Sequence, residues 1–398
     1  MKTILIVSLG MEIGGAERSL LTLLSELNYS KVKVDLFLLH KKGDLLKYIP
    51  EEVNVLKENQ YYSQLAIPLK EVIKNKKYSI AYGRIQAKIL AKIYDIFHRP
   101  KNESYVELEY SHKYTKRFMP QIADENYDLV ISYLTPHYFA AEKAFGKKKV
   151  AWIHTDYEYI DCDVNSEKEM WDQYDKIVAI SAAVKASFLK KFPMLEHKII
   201  MVENTVSRKF IECQANEFDV LNQLDQHSVK LLSIGRFCHP KNFDSIPEIC
   251  SLLIKQGYKV KWYIMGFGED ENLIKSRIEE YRMEKTVIIL GKRINPYPYI
   301  KACDIYVQPS RYEGKAITVL EAQALNKPVI ITNYGTASSQ LKDGNNGIIV
   351  SLENQKCAEE IGKVIDNMKL QKKLTENCKR MQFPNDFSIL YDLCEDKI

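Results

Sequence analysis

The sequence predicts an α/β protein built from two doubly wound domains, and three observations lead there. The chain has 398 residues, more than a single hydrophobic core usually supports. Short apolar, β-branched runs alternate with amphipathic helical stretches almost throughout, as parallel βαβ units require. Those strand-like runs also form two successive series, which fits two sheets better than one wide one.

The first series is TILIVS (3–8), VDLFLL (34–39), DLVISY (128–133), KVAWIH (149–154) and KIVAIS (176–181). The second is VKLLSIG (229–235), VKWYIMG (260–266), VIILG (287–291), DIYVQP (304–309), PVIIT (328–332) and GIIV (347–350). Between them, near 205–225, the strand pattern lapses. The expected organisation is therefore a first domain at 1–205, a second at 206–375, and a helical tail at 376–398 that could pack back on the first. Residues 60–120 interrupt the first series with basic, Tyr-rich helical sequence.

Composition narrows the class. Hydrophobic residues make up 46% and charged residues 27%, an ordinary globular profile that speaks against disorder. The net charge of +5 is unevenly spread, because residues 65–120 carry 12 Lys/Arg against 5 Asp/Glu, a local excess of +7. Lys and Arg mixed with Leu, Ile and Tyr at helical spacing describe either a solvated face or a peripheral contact with an anionic membrane. No nucleic-acid motif accompanies them. The eight cysteines form no CxxC pair and no metal-site rhythm, so reduced core cysteines and no bound metal are expected. MKTILIVSLG is too short for a signal peptide, and no apolar run reaches about 18 residues. The expected location is cytoplasmic, including the inner face of the cell membrane.

Five segments carry candidate chemistry. PSRYEGKAITVLEAQALNKPVIIT (309–332) runs from a strand through a Pro-Ser loop into a helix, with Glu313 in the loop and Glu321 eight residues on. Ligands bind at the carboxyl edge of such sheets, and a carboxylate there suits sugar or ribose hydroxyls rather than phosphate. SIGRFCHPKNF (233–243) places Arg236 and Lys241 on a strand-to-helix loop, with a helix expected from near Asn242. Those two cations could neutralise a diphosphate. In MGFGED (265–270), Gly266 and Gly268 either shape a tight turn or let the backbone approach a ligand. SLGMEIGGAERSLLTLL (8–24) sets Gly14 and Gly15 at a helix start whose amides favour an anion, but it lacks the dinucleotide fingerprint. In AWIHTDYEYID (151–161), His154 ends a strand, and Asp156 follows as a weaker candidate to orient or deprotonate a ligand hydroxyl.

Together these segments resemble the retaining glycosyltransferases with the E-x7-E motif and the GT-B fold, in which two Rossmann-like domains face a central cleft. The resemblance implies that Glu313 approaches the donor sugar and Glu321 holds the ribose. The loop Gly314, Lys315, Ala316 and Ile317 would lie near the diphosphate. Arg236 and Lys241 would stabilise the departing nucleoside diphosphate, and His154 would sit near the donor sugar or acceptor. Gly14, Gly15, Gly266, Gly268 and the backbone at Arg293 would contact the donor. Here Gly-Lys-Ala-Ile stands after Glu313 where the family usually has Gly-Phe-Gly. The implied activity is transfer of a hexosyl group from a nucleotide sugar, UDP-linked by family habit, to a glycan or lipid-linked acceptor in bacterial surface-polysaccharide synthesis. No cofactor is implied. A nucleotide-sugar epimerase or phosphorylase on the same fold, or a non-catalytic sugar-nucleotide-binding protein, are the competing readings.

Overall fold

The computed structural model describes residues 1–398 except 135, 136, 204, 205, 384–386, 396 and 398. It separates into two compact units, Met1–Asn204 with Asn385–Ile398, and Thr205–Pro384. The boundary expected at residue 205 lies outside the described residues.

Among the described residues of the first unit nine strands form: β1 (Lys2–Ser8), β2 (Val32–Leu38), β3 (Asn54–Val55), β4 (Glu103–Ser104), β5 (Asn126–Ser132), β6 (Phe145–Ile153), β7 (Ile160–Asp161), β8 (Lys176–Ala179) and β9 (Ile199–Met201). Seven make one parallel sheet in the order β3-β2-β1-β5-β6-β8-β9, while β4 and β7 pair apart. Ile4, Leu5, Ile6 and Val7 are wholly buried because helices cover both faces of a parallel sheet. Those helices are α1 (Gly15–Glu26), α2 (Leu69–Lys74), α3 (Tyr78–His98), α4 (Val106–Thr115), α5 (His137–Lys143), α6 (Val164–Trp171) and α7 (Ala182–Lys191). Side-chain caps from Asp163 and Ser181 start α6 and α7 by accepting from first-turn amides.

The second unit opens with α8 (Arg208–Gln214) and alternates β10 (Val229–Ile234), α9 (Ile246–Lys255), β11 (Val260–Met265), α10 (Glu271–Glu280) and β12 (Val287–Gly291). It continues with α11 (Tyr297–Ala302), β13 (Ile305–Gln308), α12 (Ile317–Ala324), β14 (Val329–Thr332), α13 (Ala337–Gln340), β15 (Ile348–Val350), α14 (Asn354–Asp366) and α15 (Met368–Arg380). Its parallel sheet runs β12-β11-β10-β13-β14-β15. One apolar cluster fills each face. Trp262 is buried there with its indole N–H donating to Ser233 Oγ at 2.9 Å. A last helix, α16 (Ser388–Cys394), belongs to the first unit, where Tyr391 OH accepts the Asn28 amide at 2.8 Å. The residues expected as one tail therefore divide: α15 stays with the second unit and α16 with the first.

Candidate functional site

In the second unit the chain winds outward from β10 and β13 in opposite directions, so these neighbours form the sheet's topological switch point. Loops 235–245 and 309–316 leave their carboxyl ends, and side chains stitch the two together. Asn242, in the left-handed region at φ 58°, donates through Nδ2 to Pro309 O at 2.9 Å. The Arg311 amide donates to Pro240 O at 2.8 Å, and its guanidinium forks onto Asp244 at 2.9 and 2.7 Å. Burial works to raise the Asp244 pKa, but the Arg311 fork outweighs it and the pKa is lowered. Two 3₁₀ turns fill this loop, so the helix expected near Asn242 starts instead at Ile246.

This stitching brings Lys241 to Glu313. Lys241 Nζ lies 2.5 Å from Glu313 Oε1, and the same oxygen accepts from Ser310 Oγ at 2.7 Å and Gln308 Nε2 at 3.2 Å. Gln308 is held in turn by Tyr306 OH, which donates to its Oε1 at 2.7 Å. Thr336 Oγ1 donates to the Glu313 carbonyl at 2.6 Å, tying in the loop after β14. Arg236 is exposed on the Lys241 loop, and its guanidinium contacts no described residue by hydrogen bond or ion pair. Beside Glu313, the buried Tyr334 hydroxyl has no hydrogen-bond partner among the described residues, and burial and then the Glu313 charge push its pKa up.

The remaining donor-site candidates divide. Gly314 is exposed and Lys315 half-buried, and Ile317 opens α12. The Ala316 amide, expected near a diphosphate, already donates to Gln340 Oε1 at 2.7 Å. Glu321 is 1% exposed, and Tyr297 OH donates to its Oε1 at 2.8 Å. Gly266 and Gly268, at φ 153° and 157°, have a firm structural reason: a Cβ on either would overlap the carbonyl oxygen of Gly235 or Phe237. They let one backbone approach another, with Phe237 N–H donating to Phe267 O at 2.8 Å. Arg293 is exposed, its guanidinium 6.0 Å above the Tyr299 ring.

In the first unit, Gly14 caps α1 in extended conformation and Gly15 begins it. The Glu17 carboxylate folds over Gly14, so this helix start already has an anion beside it. His154 follows β6, with its ring 4.7 Å from Tyr133 and its Nε2 shut from solvent without a partner among the described residues. Burial lowers its pKa to about 4, against a backbone hydrogen bond at Tyr133 that raises it, so at neutral pH the ring is uncharged. Asp156 accepts the Glu158 amide at 3.0 Å, closing its own turn. His154 lines a cavity of about 80 Å³ together with His112, His137, Glu109, Glu167 and Trp171. Sequence reasoning missed this cluster. Burial pushes Glu109 up to about 8, raises Glu167 as well, and lowers His112 and His137 to about 3. Among the described residues no group of three or more His, Cys, Asp or Glu is arranged to hold a metal ion.

Two doubly wound units, one with ion pairs at its switch point, define a class of α/β proteins whose ligand sites lie at the carboxyl edges of their sheets. Comparison with known proteins is more specific. Residues 216–381 match the model for glycosyl transferases group 1, and residues 13–210 match that for Glycosyltransferase Family 4. The chain belongs to these glycosyltransferases. A Staphylococcus aureus poly(ribitol-phosphate) alpha-N-acetylglucosaminyltransferase is 25% identical over 199 residues, 44% of this chain and 40% of that protein. The S. aureus capsular polysaccharide biosynthesis glycosyltransferase CapM is 28% identical over 221 residues, 53% of this chain and 57% of its own length. The chain thus spans about half the length of the curated relatives it matches. Anabaena HepE, solved in complex with UDP-glucose, superposes with a TM-score of 0.65 at 17% identity, covering 100% of this chain and 99% of its own. The fold is GT-B.

Proposed function

We propose that the chain transfers a hexosyl group from a UDP-sugar to a hydroxyl of a glycan or lipid-linked acceptor, with retention of anomeric configuration, in bacterial surface-polysaccharide assembly. One observation carries the reading: Lys241 and Glu313, 72 residues apart in sequence, meet at the switch point of the second unit. UDP-glucose in HepE, and the poly(ribitol-phosphate) and capsular polysaccharide named for the two S. aureus relatives, support the donor and pathway.

In this mechanism Arg236 and Lys241 neutralise the charge that grows on the diphosphate as the anomeric bond loosens. Arg236 is free to fork onto phosphate oxygens, while Lys241 exchanges part of its contact with Glu313 for the ligand. No described residue hydrogen-bonds Glu313 Oε2, so it can accept from a sugar hydroxyl while three donors hold Oε1 in place. A carboxylate pinned this way orients the sugar and is a poor covalent nucleophile, which favours attack by the acceptor from the leaving-group face. Glu321, fixed by Tyr297, is assigned to the ribose hydroxyls. His154, which burial favours in its neutral form, would hydrogen-bond a hydroxyl through Nε2 rather than supply charge. Donor contacts of Gly14, Gly15, Gly266, Gly268, Arg293, Gly314, Lys315 and Ile317 stay within the same proposal. So does a peripheral contact of residues 65–120 with the cytoplasmic face of the membrane. No described helix is long and apolar enough to cross it.

The test is UDP release from UDP-hexoses with and without candidate acceptors, with the product anomer read by NMR. Acceptor-dependent release with retention supports the reading. Isomerised donor would indicate an epimerase, acceptor-dependent release with inversion would overturn the stereochemistry, and tight donor binding without turnover would indicate a silent binder.

A further inference from the structure

Helix α3 is inside out. Its packed face carries small residues, Ala81, Gly83, Ala87 and Ala91, with Ile80. A Cβ at Gly83 would press on Thr115 and the Tyr114 carbonyl of α4, so the small face is what lets the two helices close up. The large apolar side chains lie on the opposite side: Tyr82, Ile85, Ile89, Ile93, Ile96 and Phe97 follow one another at helical spacing, with Ile89 54%, Ile96 70% and Phe97 79% exposed. An ordinary surface helix shows the reverse arrangement. Isolated exposed apolar residues need no explanation, but a stripe from Tyr82 to Phe97, interrupted at Gln86 where Arg117 donates to Gln86 Oε1 at 2.8 Å, does.

Charge identifies what covers it. Residues 74–101 contain eight Lys or Arg and a single acid, Asp95, which already accepts from Ser104 Oγ at 2.8 Å. Lys88 and Lys92, both exposed, run along one edge of the stripe, and Lys74, Lys76, Arg99 and Lys101 crowd its ends. An antiparallel two-fold pairing of α3 would set the Lys88–Lys92 edge of one copy against the same edge of the other. A bilayer rich in anionic headgroups accepts apolar stripe and cationic margin at once.

We propose that α3 is an in-plane membrane-docking helix, which inserts the Ile85–Phe97 stripe among the acyl chains of an anionic bilayer while its flanking lysines and arginines hold the headgroups. This deepens the membrane contact proposed for 65–120, and its test is independent of glycosyl transfer. The full chain is floated with phosphatidylcholine vesicles with or without phosphatidylglycerol, at low and high salt. Three forms are compared: the natural chain, Ile89→Gln/Ile93→Gln and Lys88→Gln/Lys92→Gln. The natural chain should bind the phosphatidylglycerol vesicles, and each pair of exposed substitutions should weaken binding about 10-fold. Salt should reverse mainly the lysine-dependent part. UDP affinity and melting should be unchanged in both variants, which separates this result from failure of the transferase reading. Equal recovery with neutral and anionic vesicles overturns the proposal. So does binding insensitive to the isoleucine pair, or a solution dimer that the isoleucine pair dissolves, which would make a second copy the occupant.

Discussion

The two units share one winding order but treat ionisable side chains at their sheet edges in opposite ways. The second unit keeps charge. Lys241 and Glu313 form an ion pair at the switch point, and Arg236 stands exposed beside them. The first unit removes charge: burial moves Glu109, Glu167, His112, His137 and His154 all toward their neutral forms. A charged edge suits a ligand that carries phosphate, and a neutral, hydrogen-bonding edge suits hydroxyls. One topology can therefore present two chemistries, decided by how deeply the loops bury their polar groups.

The largest effect should come from breaking the charged edge at its centre. Glu313→Ala should lower kcat of transfer about 10²–10³-fold, the scale seen when a preorganised polar contact to the reacting group is lost. Circular dichroism should show an intact fold, and near-normal turnover would remove Glu313 from the mechanism. Gly268→Ala should next destabilise the second unit by roughly 2–3 kcal/mol, because the new Cβ overlaps the Phe237 carbonyl. Denaturant titration followed by a probe in each unit would check it, and loss confined to the first unit would contradict the close approach described here. Arg236→Ala should raise the Kd for UDP about 10-fold by calorimetry, with no change in melting, since nothing in the fold leans on that guanidinium. Lys241→Ala should weaken UDP binding similarly but also lower stability, because Glu313 loses its cation.

How much of this was legible beforehand follows from distance along the chain. The long strands showed as β-branched runs because both faces are buried, as in β1. The two-residue strands β3, β4 and β7 did not, since a period of two cannot be read in two residues. At the site, Glu313 and Lys241 could be named because each sits at a strand end beside a recognisable motif. What joins them could not. The Asn242 side chain bridges 67 residues to Pro309, and Arg311 reaches Asp244 across the same gap, leaving no local pattern. The Glu109–Glu167 cluster was hidden for a related reason. In SEKEMW, Glu167 looks like a surface helical residue, and only the tertiary fold seats it between Tyr157 OH and the Trp171 indole, at 2.8 and 3.1 Å.

That neutral cluster gives the smallest and most specific prediction. Glu109 titrates near 8 when folded against 4.5 as its ordinary value, so between those pH values the folded state holds a proton that the unfolded chain has released. Its contribution is complete below 4.5 and is lost as pH rises toward 8. The histidines act the other way: folded values of about 3 for His112 and His137 and about 4 for His154 lie below 6.5, so their contribution is lost as pH falls beneath 6.5. Above 6.5 only the carboxyl effect remains, and the first unit should lose about 1 kcal/mol between pH 6.5 and 8. Glu109→Gln keeps the shape and a hydrogen-bonding group but cannot ionise. It should flatten that alkaline decline while leaving the acid limb, which belongs to the histidines, in place. Thermal melts of both forms across pH 5–9 would show it. An alkaline decline that persists unchanged in Glu109→Gln would mean that the proton sits elsewhere in the cluster, with Glu167 the next carboxyl to replace.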